Sequence, residues 1–444
     1  MSQPAKALLE DRPLNRNPAA PDRREVAPAA AAGRIRLTIS DDIEGLSDTW
    51  QRFEQDADAT AFQSFAWLSL WHRHVGAPQG VRAAIVLGHR EDGALAFLIP
   101  LAVSSGTIRH LTFLGSSLSD YNAPLLAPGF AAGMTRDAFL ALWAEIRAEL
   151  QRRPEFRHDI IELTKMPATV GDQPNPFLHL DATLNPSGAH LTHLSGTWDE
   201  FYTAKRSSAT RRRDRTKRKR LGEFGEVRYV EPHEAPPLTQ TLTTLFEQKG
   251  RAFARMGVQN LFALPGNREF FLALATEPRA QELVHVSRLD VGAAMAAVNL
   301  GLRFHGSYYH VLASYDEGDV SRFGPGAAHL RDLLQHAIEK GLTRFDFTIG
   351  DERYKLEWSD TLVTLYDHVS AASLKGWPLV APSKAFSRVK RVIKQTPALW
   401  AAFTAIRAAV AKLRGQKPEA VEDAGEAAED TASTKKPSPP IAPL

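Results

Sequence analysis

Residues 324–358, GPGAAHLRDLLQHAIEKGLTRFDFTIGDERYKLEW, form the stretch that says most about the fold. From Ala327 to Ile338 the apolar residues recur at three- and four-residue steps, and Gly341 stands where a left-handed residue would end a helix. The strand-like segment RFDFTI follows at 344–349. This stretch therefore predicts a helix that leads into a buried strand, an alternation that is typical of α/β proteins.

A similar order of elements occurs earlier in the chain. Each copy begins with a tight turn and contains two strands, a loop, a helix and a further strand. The earlier copy has strands at 94–103, 109–115 and 158–163 and a helix at 136–152, and the later copy has strands at 293–302, 304–312 and 344–349 and a helix at 327–340. We therefore predict two similar α/β domains with mixed sheets, at 35–189 and 190–375, each with a right-handed crossover through its helix.

The composition is that of a globular protein. The chain has 444 residues, of which 43% are apolar and 24% charged, and it has no cysteine. These values argue against collagenous, wholly disordered and disulfide-stapled classes, and they exclude a catalytic thiolate. The longest apolar run, 94–103, is about half of the roughly 20 residues that a membrane-spanning helix needs. We predict a disordered leader at 1–34 that is not a secretory signal, a disordered tail at 415–444 and a cytoplasmic location.

The formal net charge of +3 conceals two strongly basic segments. Residues 204–220 hold ten Lys or Arg and one acid, and the capping-box pattern at 197–200 predicts the start of a helix that runs into them. This basic helix is either a solvated surface helix or a binding surface for phosphate-rich ligands. Residues 384–414 hold eight basic residues and no acid. The apolar spacing predicts a basic amphipathic helix at 376–414 that either contacts an anionic membrane or docks on the body of the protein.

The turn before the helix at 327–340 is a candidate anion site. Its two glycines let a ligand approach the backbone, and the unpaired N–H groups and dipole of a helix start favour a phosphate. We therefore predict a phosphate-binding turn that comprises Arg322, Phe323, Gly324, Pro325 and Gly326. Ligands of open α/β sheets bind beyond the carboxyl ends of strands, which is where the polar residues after 344–349 also lie.

Together these motifs resemble the GNAT-related acetyltransferases associated with bacterial cellulose and exopolysaccharide biosynthesis, a family that is similar in turn to the tandem-GNAT FemABX transferases. The resemblance covers about residues 40–370. It is carried by Ser119-Asp120-Tyr121, Pro124-Leu125, RKRLGEFGEV at 218–227, Gly324-Pro325-Gly326, Phe345-Asp346-Phe347, Gly350, Glu352, Tyr354, Lys355 and Trp358. Arg322 stands only two residues before Gly324, which departs from the usual GNAT phosphate loop. The resemblance implies two tandem GNAT-like domains and acetyl-CoA or another acyl-CoA as co-substrate.

The implied reaction is acyl transfer from a coenzyme A thioester to an amine or hydroxyl, without a covalent enzyme intermediate. It needs a route for the acceptor proton and stabilisation of the oxyanion. The candidate catalytic residues are of three kinds. Asp346 or Asp316 would take the proton of the acceptor, Tyr309 or Tyr354 would act as a phenolic donor, and Lys355 would stabilise negative charge. The candidate acceptor-binding residues are Asp120, Tyr121 and Glu352. No H-E-x-x-H or compact His/carboxylate spacing occurs, so we predict no metal.

Three functions remain open from the sequence. The first is a coenzyme-A-dependent acyltransferase that acts on a sugar, an amino sugar or another envelope precursor. The second is a FemABX-like transferase that takes an aminoacyl group from charged tRNA, for which the basic helix is the motivating feature. Any other nucleic-acid partner is not expected, because no aromatic residues interleave the charges. The third is a non-catalytic accessory of polysaccharide synthesis at the inner face of the membrane.

Overall fold

The structure, a computed structural model, describes residues 34–350 and 352–380. The strands in this part of the chain are β1 (Arg36–Ser40), β2 (Arg82–His89), β3 (Leu95–Val103), β4 (His110–Phe113), β5 (Leu125–Leu126), β6 (Ile160–Pro167), β7 (Thr169–Val170), β8 (Gln173–Pro174), β9 (Thr183–Leu184), β10 (Ala189–His193), β11 (Val227–Val230), β12 (Val284–Val291), β13 (Ala294–Phe304), β14 (Ser307–Tyr315), β15 (Arg344–Ile349), β16 (Thr361–Val363) and β17 (Leu365–Ala371). The α-helices are α1 (Ser47–Asp56), α2 (Phe65–Trp71), α3 (Arg136–Arg152), α4 (Trp198–Lys205), α5 (Ser208–Leu221), α6 (Ala235–Arg255), α7 (Asn267–Thr276), α8 (Pro325–Glu339) and α9 (Arg353–Trp358).

Two mixed sheets organise these elements. The first sheet has the strand order β1-β2-β3-β4-β6-β17-β9, with β5 paired to β3, and the second has the order β11-β12-β13-β14-β15-β10-β16. In the first sheet β4 and β6 are parallel and α3 lies between them in the chain. In the second sheet β14 and β15 are parallel and α8 lies between them. The repeated element order that the sequence indicates is therefore present, and the α/β fold class with mixed sheets is confirmed.

Two sequence-based boundaries need correction. Strand β17, which we assigned to the second domain at 190–375, pairs with β6 and β9 of the first sheet. The chain therefore returns to the first half of the molecule, which is built around the first sheet, after completing the second half, which is built around the second sheet. The segment 304–312, read as one strand, contains a turn instead. His305 and Gly306 both have positive φ, 45° and 69°, the combination that a tight two-residue hairpin requires, so β13 ends before them and β14 begins after them.

Helix α8 follows its sequence pattern closely. Leu330, Leu333, Leu334 and Ala337 are buried, whereas Ala327, at the edge of the predicted apolar face, is exposed. The helix is followed by Gly341 in the left-handed conformation, with φ of 72°. Its apolar face packs on the second sheet, so the start of α8 is held at the edge where β14 and β15 end.

The basic segment forms two helices rather than one. The capping box at Thr197 is present: its hydroxyl accepts from the N–H of Glu200, whose carboxylate accepts from the N–H of Thr197. Helix α4 then ends at Lys205, and α5 begins anew because Ser207 caps it by accepting from the N–H of Thr210 at 3.2 Å. Most arginines and lysines of α5 are exposed.

A single apolar cluster joins the two halves. It contains buried residues from α2 of the first half and from α6 and α7 of the second. Trp67 of α2, for example, meets the ring of Phe270 of α7 edge to face, with centroids 5.0 Å apart. Because apolar burial of this kind is the main stabilising contribution in a fold, the two halves are held in a fixed arrangement.

Several expectations concern residues outside the described ranges. The leader at 1–34, apart from its last residue, the tail at 415–444 and most of the amphipathic segment at 376–414 lie there. Among the described residues, no helix is both long and apolar enough to cross a membrane.

Candidate functional site

Tyr121 and Asp346 meet where the two halves of the molecule join. The hydroxyl of Tyr121, in the loop between β4 and β5, donates to both carboxylate oxygens of Asp346 on β15, at 2.8 and 2.9 Å. Both side chains are buried. Asp346 is also the register partner of Tyr309 on the parallel strand β14, which places these two residues side by side in the sheet. Neither half alone contains this arrangement.

Asp346 has an unusual affinity for a proton. Burial raises the pKa of Asp346 to about 7, although the N–H of Thr348 and the hydroxyl of Tyr121 act to lower it. The Thr348 N–H donates to Oδ1 at 2.7 Å, and Thr348 has φ of 61°, a rare conformation for a β-branched residue. Strained backbone of this kind concentrates at functional sites. Near neutral pH the carboxyl group is thus divided between its two protonation states, as suits a group that takes up and releases a proton.

Lys355 of α9 brings a buried positive charge to the same place. Its ammonium donates to the carbonyl of Ile349 at 2.8 Å and pairs with the carboxylate of Glu352 at 3.0 Å. Burial acts to raise the pKa of Glu352, but the charge and the hydrogen bond of Lys355, together with the charge of Lys249, lower it below its usual value. Gly350 makes the turn feasible, because its φ is 137° and a Cβ there would lie 2.8 Å from the Lys355 ammonium nitrogen.

Asp120 completes the group of acidic side chains. Burial raises the pKa of Asp120, against the opposing charges of Lys165 and Lys355. The Lys165 ammonium is held in place by the carbonyl of Ser119, at 2.7 Å. The charge of Asp120 in turn contributes to the raised pKa of Asp346. The structure therefore brings the Ser119-Asp120-Tyr121 loop of the first half against the strand end of the second half.

The two candidate tyrosines lie near this cluster. Tyr309 is buried, with its ring 5.8 Å from that of Phe62 and 6.4 Å from that of Tyr121, and burial raises the pKa of its hydroxyl. Tyr354 is half-buried and meets the ring of His310 edge to face at 6.3 Å. Burial likewise raises the pKa of Tyr354. Both phenols are therefore protonated at neutral pH and remain candidates for hydrogen-bond donation.

The predicted phosphate-binding turn has the shape that an anion needs. Gly324 is left-handed, with φ of 63°, and no side chain caps the first N–H groups of α8. A Cβ at Gly326 would lie 3.2 Å from the ring of Tyr315, so the backbone passes close to that ring. The exposed guanidinium of Arg322 stacks over Phe323 at 4.9 Å. Buried Pro325 fixes the first residue of the helix, so the residues present fit a pyrophosphate at this turn.

Asp316, the second candidate for taking the proton of the acceptor, has its contacts outside this cluster. Its carboxylate accepts from the N–H of Gly318 at 3.2 Å and lies 3.9 Å from the guanidinium of Arg251 on α6. Within the described ranges it makes no hydrogen bond or ion pair with Asp346 or Lys355. An Asp side chain often closes the turn that follows it by accepting a hydrogen bond from a backbone N–H two residues on. This turn accounts for the carboxylate of Asp316 without a catalytic role.

The sequence did not predict four residues that lie near this site: Lys165, Lys249, His310 and Thr348. Lys249 lies on α6, where its charge interacts with those of Glu352 and Lys355, and burial lowers its pKa. Burial also lowers the pKa of His310 to about 3, so its imidazole is neutral. These residues carry no motif and reach the site only through the packing of α6 and of the strands β6, β14 and β15. The hydrogen bond from Thr348 is made by its backbone, which no side-chain pattern can reveal.

Comparison with known proteins agrees with this geometry. Residues 208–356, which include the phosphate-binding turn, Asp346 and Lys355, match the family model of the acetyltransferase (GNAT) domain. This match supports the predicted enzyme class, an acyltransferase, for the part of the chain that it covers. No curated protein matches the sequence of the chain.

Solved structures of similar fold cover most of the chain. FemX is 10% identical, with a TM-score of 0.52 over 75% of this chain and 97% of FemX. A conserved protein of unknown function from Bacteroides thetaiotaomicron is 14% identical, with a TM-score of 0.48 over 75% of this chain and 99% of that one. A tandem GNAT protein from the clavulanic acid biosynthesis pathway is 14% identical, with a TM-score of 0.40 over 76% and 99% of the two chains. At these identities the likeness to FemX shows the fold alone.

Proposed function

We propose that the protein transfers an acyl group, in the simplest case acetyl, from coenzyme A to an amine or hydroxyl of a small-molecule or glycan-precursor acceptor of the cell envelope. The observation that carries the proposal is the buried Asp346, whose pKa of about 7 and contact with Tyr121 place a proton acceptor where both halves meet. The GNAT domain match supports acyl-CoA as the donor.

The donor would be held at the start of α8. The N–H groups of Gly326 and Ala327 and the guanidinium of Arg322 supply the positive charge that a pyrophosphate needs. A bound thioester supplies an activated acyl carbon and a thiolate leaving group. Because α8 follows β14 and precedes β15, an acyl chain that extends from this turn along the strand ends is directed toward Asp346.

The proton transfer is assigned to Asp346. When the acceptor nitrogen or oxygen forms its bond to the acyl carbon and the bond to sulfur breaks, the acceptor loses a proton. The ionised carboxylate of Asp346 takes this proton, and Tyr121 and Thr348 hold the carboxylate in one orientation throughout. The positive charge of Lys355 favours the ionised state of Asp346 and is suited to stabilise an oxyanion nearby.

The acidic residues around Asp346 indicate the class of acceptor. Asp120 and Glu352 offer carboxylate oxygens, which accept hydrogen bonds from hydroxyl and ammonium groups. A sugar or amino sugar presents several such donors in one rigid ring. This match, together with the family resemblance of the motifs, favours an envelope or exopolysaccharide precursor as the acceptor.

The test is an acyl-transfer assay on the purified full-length chain. Labelled acetyl-CoA is incubated with amino sugars, neutral sugars and nucleotide sugars, and release of coenzyme A is measured together with the labelled product. We expect release to depend on at least one acceptor and to match product in amount. Release that no acceptor stimulates, with no labelled product, would contradict the proposal.

Helix α5 supports a second candidate, aminoacyl transfer from charged tRNA. Arg212, Arg213 and Arg215 are exposed on this helix, and such a basic surface suits a phosphate backbone. Titration distinguishes the two candidates: tRNA binding without any acetyl-CoA binding favours the second, whereas saturable acetyl-CoA binding favours the first.

We also propose peripheral contact of the chain with an anionic membrane. Three large apolar side chains are exposed around the start of the amphipathic segment at 376–414: Leu374, Trp377 and Leu379. Leu374 is 94% exposed. They precede the eight basic residues of 384–414. Exposed apolar groups beside basic ones are typical of surfaces that lie on a lipid headgroup layer.

A further inference from the structure

Glu231, His285 and His336 converge from three separate elements. Glu231 follows β11, His285 lies on β12 and His336 lies on α8, yet one ligand atom of each falls within 4.8 Å of the others. The two imidazole rings are nearly parallel, with centroids 4.5 Å apart. Both histidines are more than nine-tenths buried. No short sequence spacing links the three residues, so a sequence motif does not reveal this cluster.

Neighbouring hydrogen bonds fix the proton of His285. Asn299 is satisfied on both sides in one orientation of its amide: its oxygen accepts from the Tyr308 hydroxyl at 2.7 Å, and its nitrogen donates to Nε2 of His310 at 3.1 Å. The Tyr308 oxygen, having donated its proton, accepts from Nδ1–H of His285 at 2.8 Å. With its proton on Nδ1, the neutral ring of His285 presents a lone pair at Nε2.

The lone pair of His285 faces negative charge. The Oε2 atom of Glu231 lies 3.5 Å from this Nε2, and Oε1 of Glu231 lies 3.0 Å from Nδ1 of His336. The hydroxyl of Tyr229 lies 3.5 Å from the same Nε2 of His285, at the far limit of a hydrogen bond. A carboxylate oxygen and a bare imidazole nitrogen repel each other, and a cation held between them would relieve that repulsion. His336 adds a second unsatisfied atom, because its Nε2 is buried and makes no hydrogen bond within the described ranges. The cluster thus has more acceptors than donors.

We propose that Glu231, His285 and His336 bind a divalent transition-metal cation, with Zn²⁺ the expected ion. Two imidazoles and one carboxylate are a donor set that zinc uses, with a fourth position open to water. Tyr308 and Asn299 form the outer layer that orients His285, as such partners do at known metal sites. The ion would tie α8 to β12 and to the segment after β11, and so brace the helix whose first turn is the phosphate-binding turn.

The test uses untagged full-length protein, freed of metal by chelation and titrated with Zn²⁺ by calorimetry in the absence of any coenzyme A. We expect one saturable site per chain, and a thermal midpoint that rises with Zn²⁺ concentration because the ion binds the folded state. Glu231→Gln and His336→Gln should each weaken binding by at least about tenfold, and Tyr308→Phe by about 10- to 100-fold. His193→Ala, which removes an exposed imidazole of β10, is the matched control and should bind as the wild type does.

Cobalt provides a readout that does not require the variants to fold. Co²⁺ bound by two imidazoles and a carboxylate in a four- or five-coordinate site absorbs visible light far more strongly than hydrated Co²⁺. We expect this absorption in the wild-type protein and its displacement by Zn²⁺. Absence of saturable binding in the wild type, weak absorption like that of the hydrated ion, or equal binding by well-folded Glu231→Gln and wild-type proteins would overturn the proposal.

Discussion

Tyr121 and Asp346 are 225 positions apart in the chain, and the hydroxyl of one donates to both carboxylate oxygens of the other. This pair joins the two halves at the point where the candidate chemistry is concentrated. It gives Tyr121 a role distinct from the acceptor binding that its loop suggests, because its hydroxyl is already engaged with the carboxylate that we propose as the proton acceptor.

Tyr121→Phe should change the pH dependence of the reaction. The Tyr121 hydroxyl lowers the pKa of Asp346, so its loss should move this pKa upward from about 7. Because the ionised carboxylate is the active form, the acidic limb of kcat/KM should shift to higher pH, and the loss of activity should be greater at pH 6 than at pH 8. Tyr366→Phe, on β17, is the control and should leave the profile unchanged. An unshifted acidic limb in Tyr121→Phe would separate Tyr121 from the titrating group.

Asp346→Asn should lower turnover while leaving the KM for acyl-CoA nearly unchanged. General base catalysis contributes about 10²- to 10⁴-fold, and an amide cannot take the acceptor proton. The control is Asp290→Asn, which alters a buried carboxylate that pairs with Arg288 at 3.0 Å on the second sheet, outside the site. If Asp346→Asn loses only as much activity as its folded fraction explains, the carboxylate is structural.

Much of the fold could be predicted from the sequence, because helices and strands depend on local patterns of residues. Helix α3 begins and ends where the apolar spacing places it, and β15 coincides with the RFDFTI segment. The return of β17 to the first sheet could not be predicted, because the pairing partner of a strand depends on contacts between residues that are distant in sequence. The turn at His305 was missed because a histidine with positive φ is uncommon, and only Gly306 carries the signal.

The site was predictable in outline only. The motif residues Asp120, Tyr121, Asp346 and Lys355 do come together: Asp120 and Tyr121 lie in the loop after β4, Asp346 lies within β15, and Lys355 lies on α9, the next helix along the chain. Asp316 does not join them, because its own turn uses the carboxylate. Lys249 and the Glu231 cluster depend on how helices pack over the second sheet, and a sequence pattern does not specify that packing.

The contribution of Asp346 to the stability of the protein should fall as pH rises from about 4 to about 7. The folded-state pKa of Asp346, about 7, exceeds the ordinary aspartate value of 3.8, so the folded state binds a proton more tightly and is stabilised while the group is protonated. Glu54, also raised to about 7 by burial, acts in the same window. We therefore compare variants: relative to wild type, Asp346→Asn should gain thermal stability at pH 8 over pH 5. An equal difference in midpoint at both pH values would contradict the raised pKa.

A chain that ends at Leu379 should lose salt-sensitive binding to anionic vesicles. Each Lys or Arg near an anionic surface contributes on the order of 1 kcal/mol, and the shortened chain lacks the eight basic residues of 384–414. Co-sedimentation with vesicles that contain phosphatidylglycerol, at low and high salt, measures this binding, and neutral vesicles are the control. Retention by the shortened chain would move the contact to α5, and aggregation without vesicle binding by either chain would show that the segment packs on the body.

Calorimetric titration with acetyl-CoA tests the central claim most directly, using the full-length wild type beside Gly326→Ala and Gly326→Asp. Both substitutions place a Cβ 3.2 Å from the ring of Tyr315, so the alanine variant measures the steric cost and the difference between the two measures the added charge. We predict saturable binding to the wild type, weaker binding to Gly326→Ala, and no binding to Gly326→Asp, whose carboxylate would lie where the pyrophosphate is held. No saturable binding to the wild type, or equal binding to the two variants, would contradict the assignment of this protein as a coenzyme-A-dependent acyltransferase that holds its donor at the start of α8.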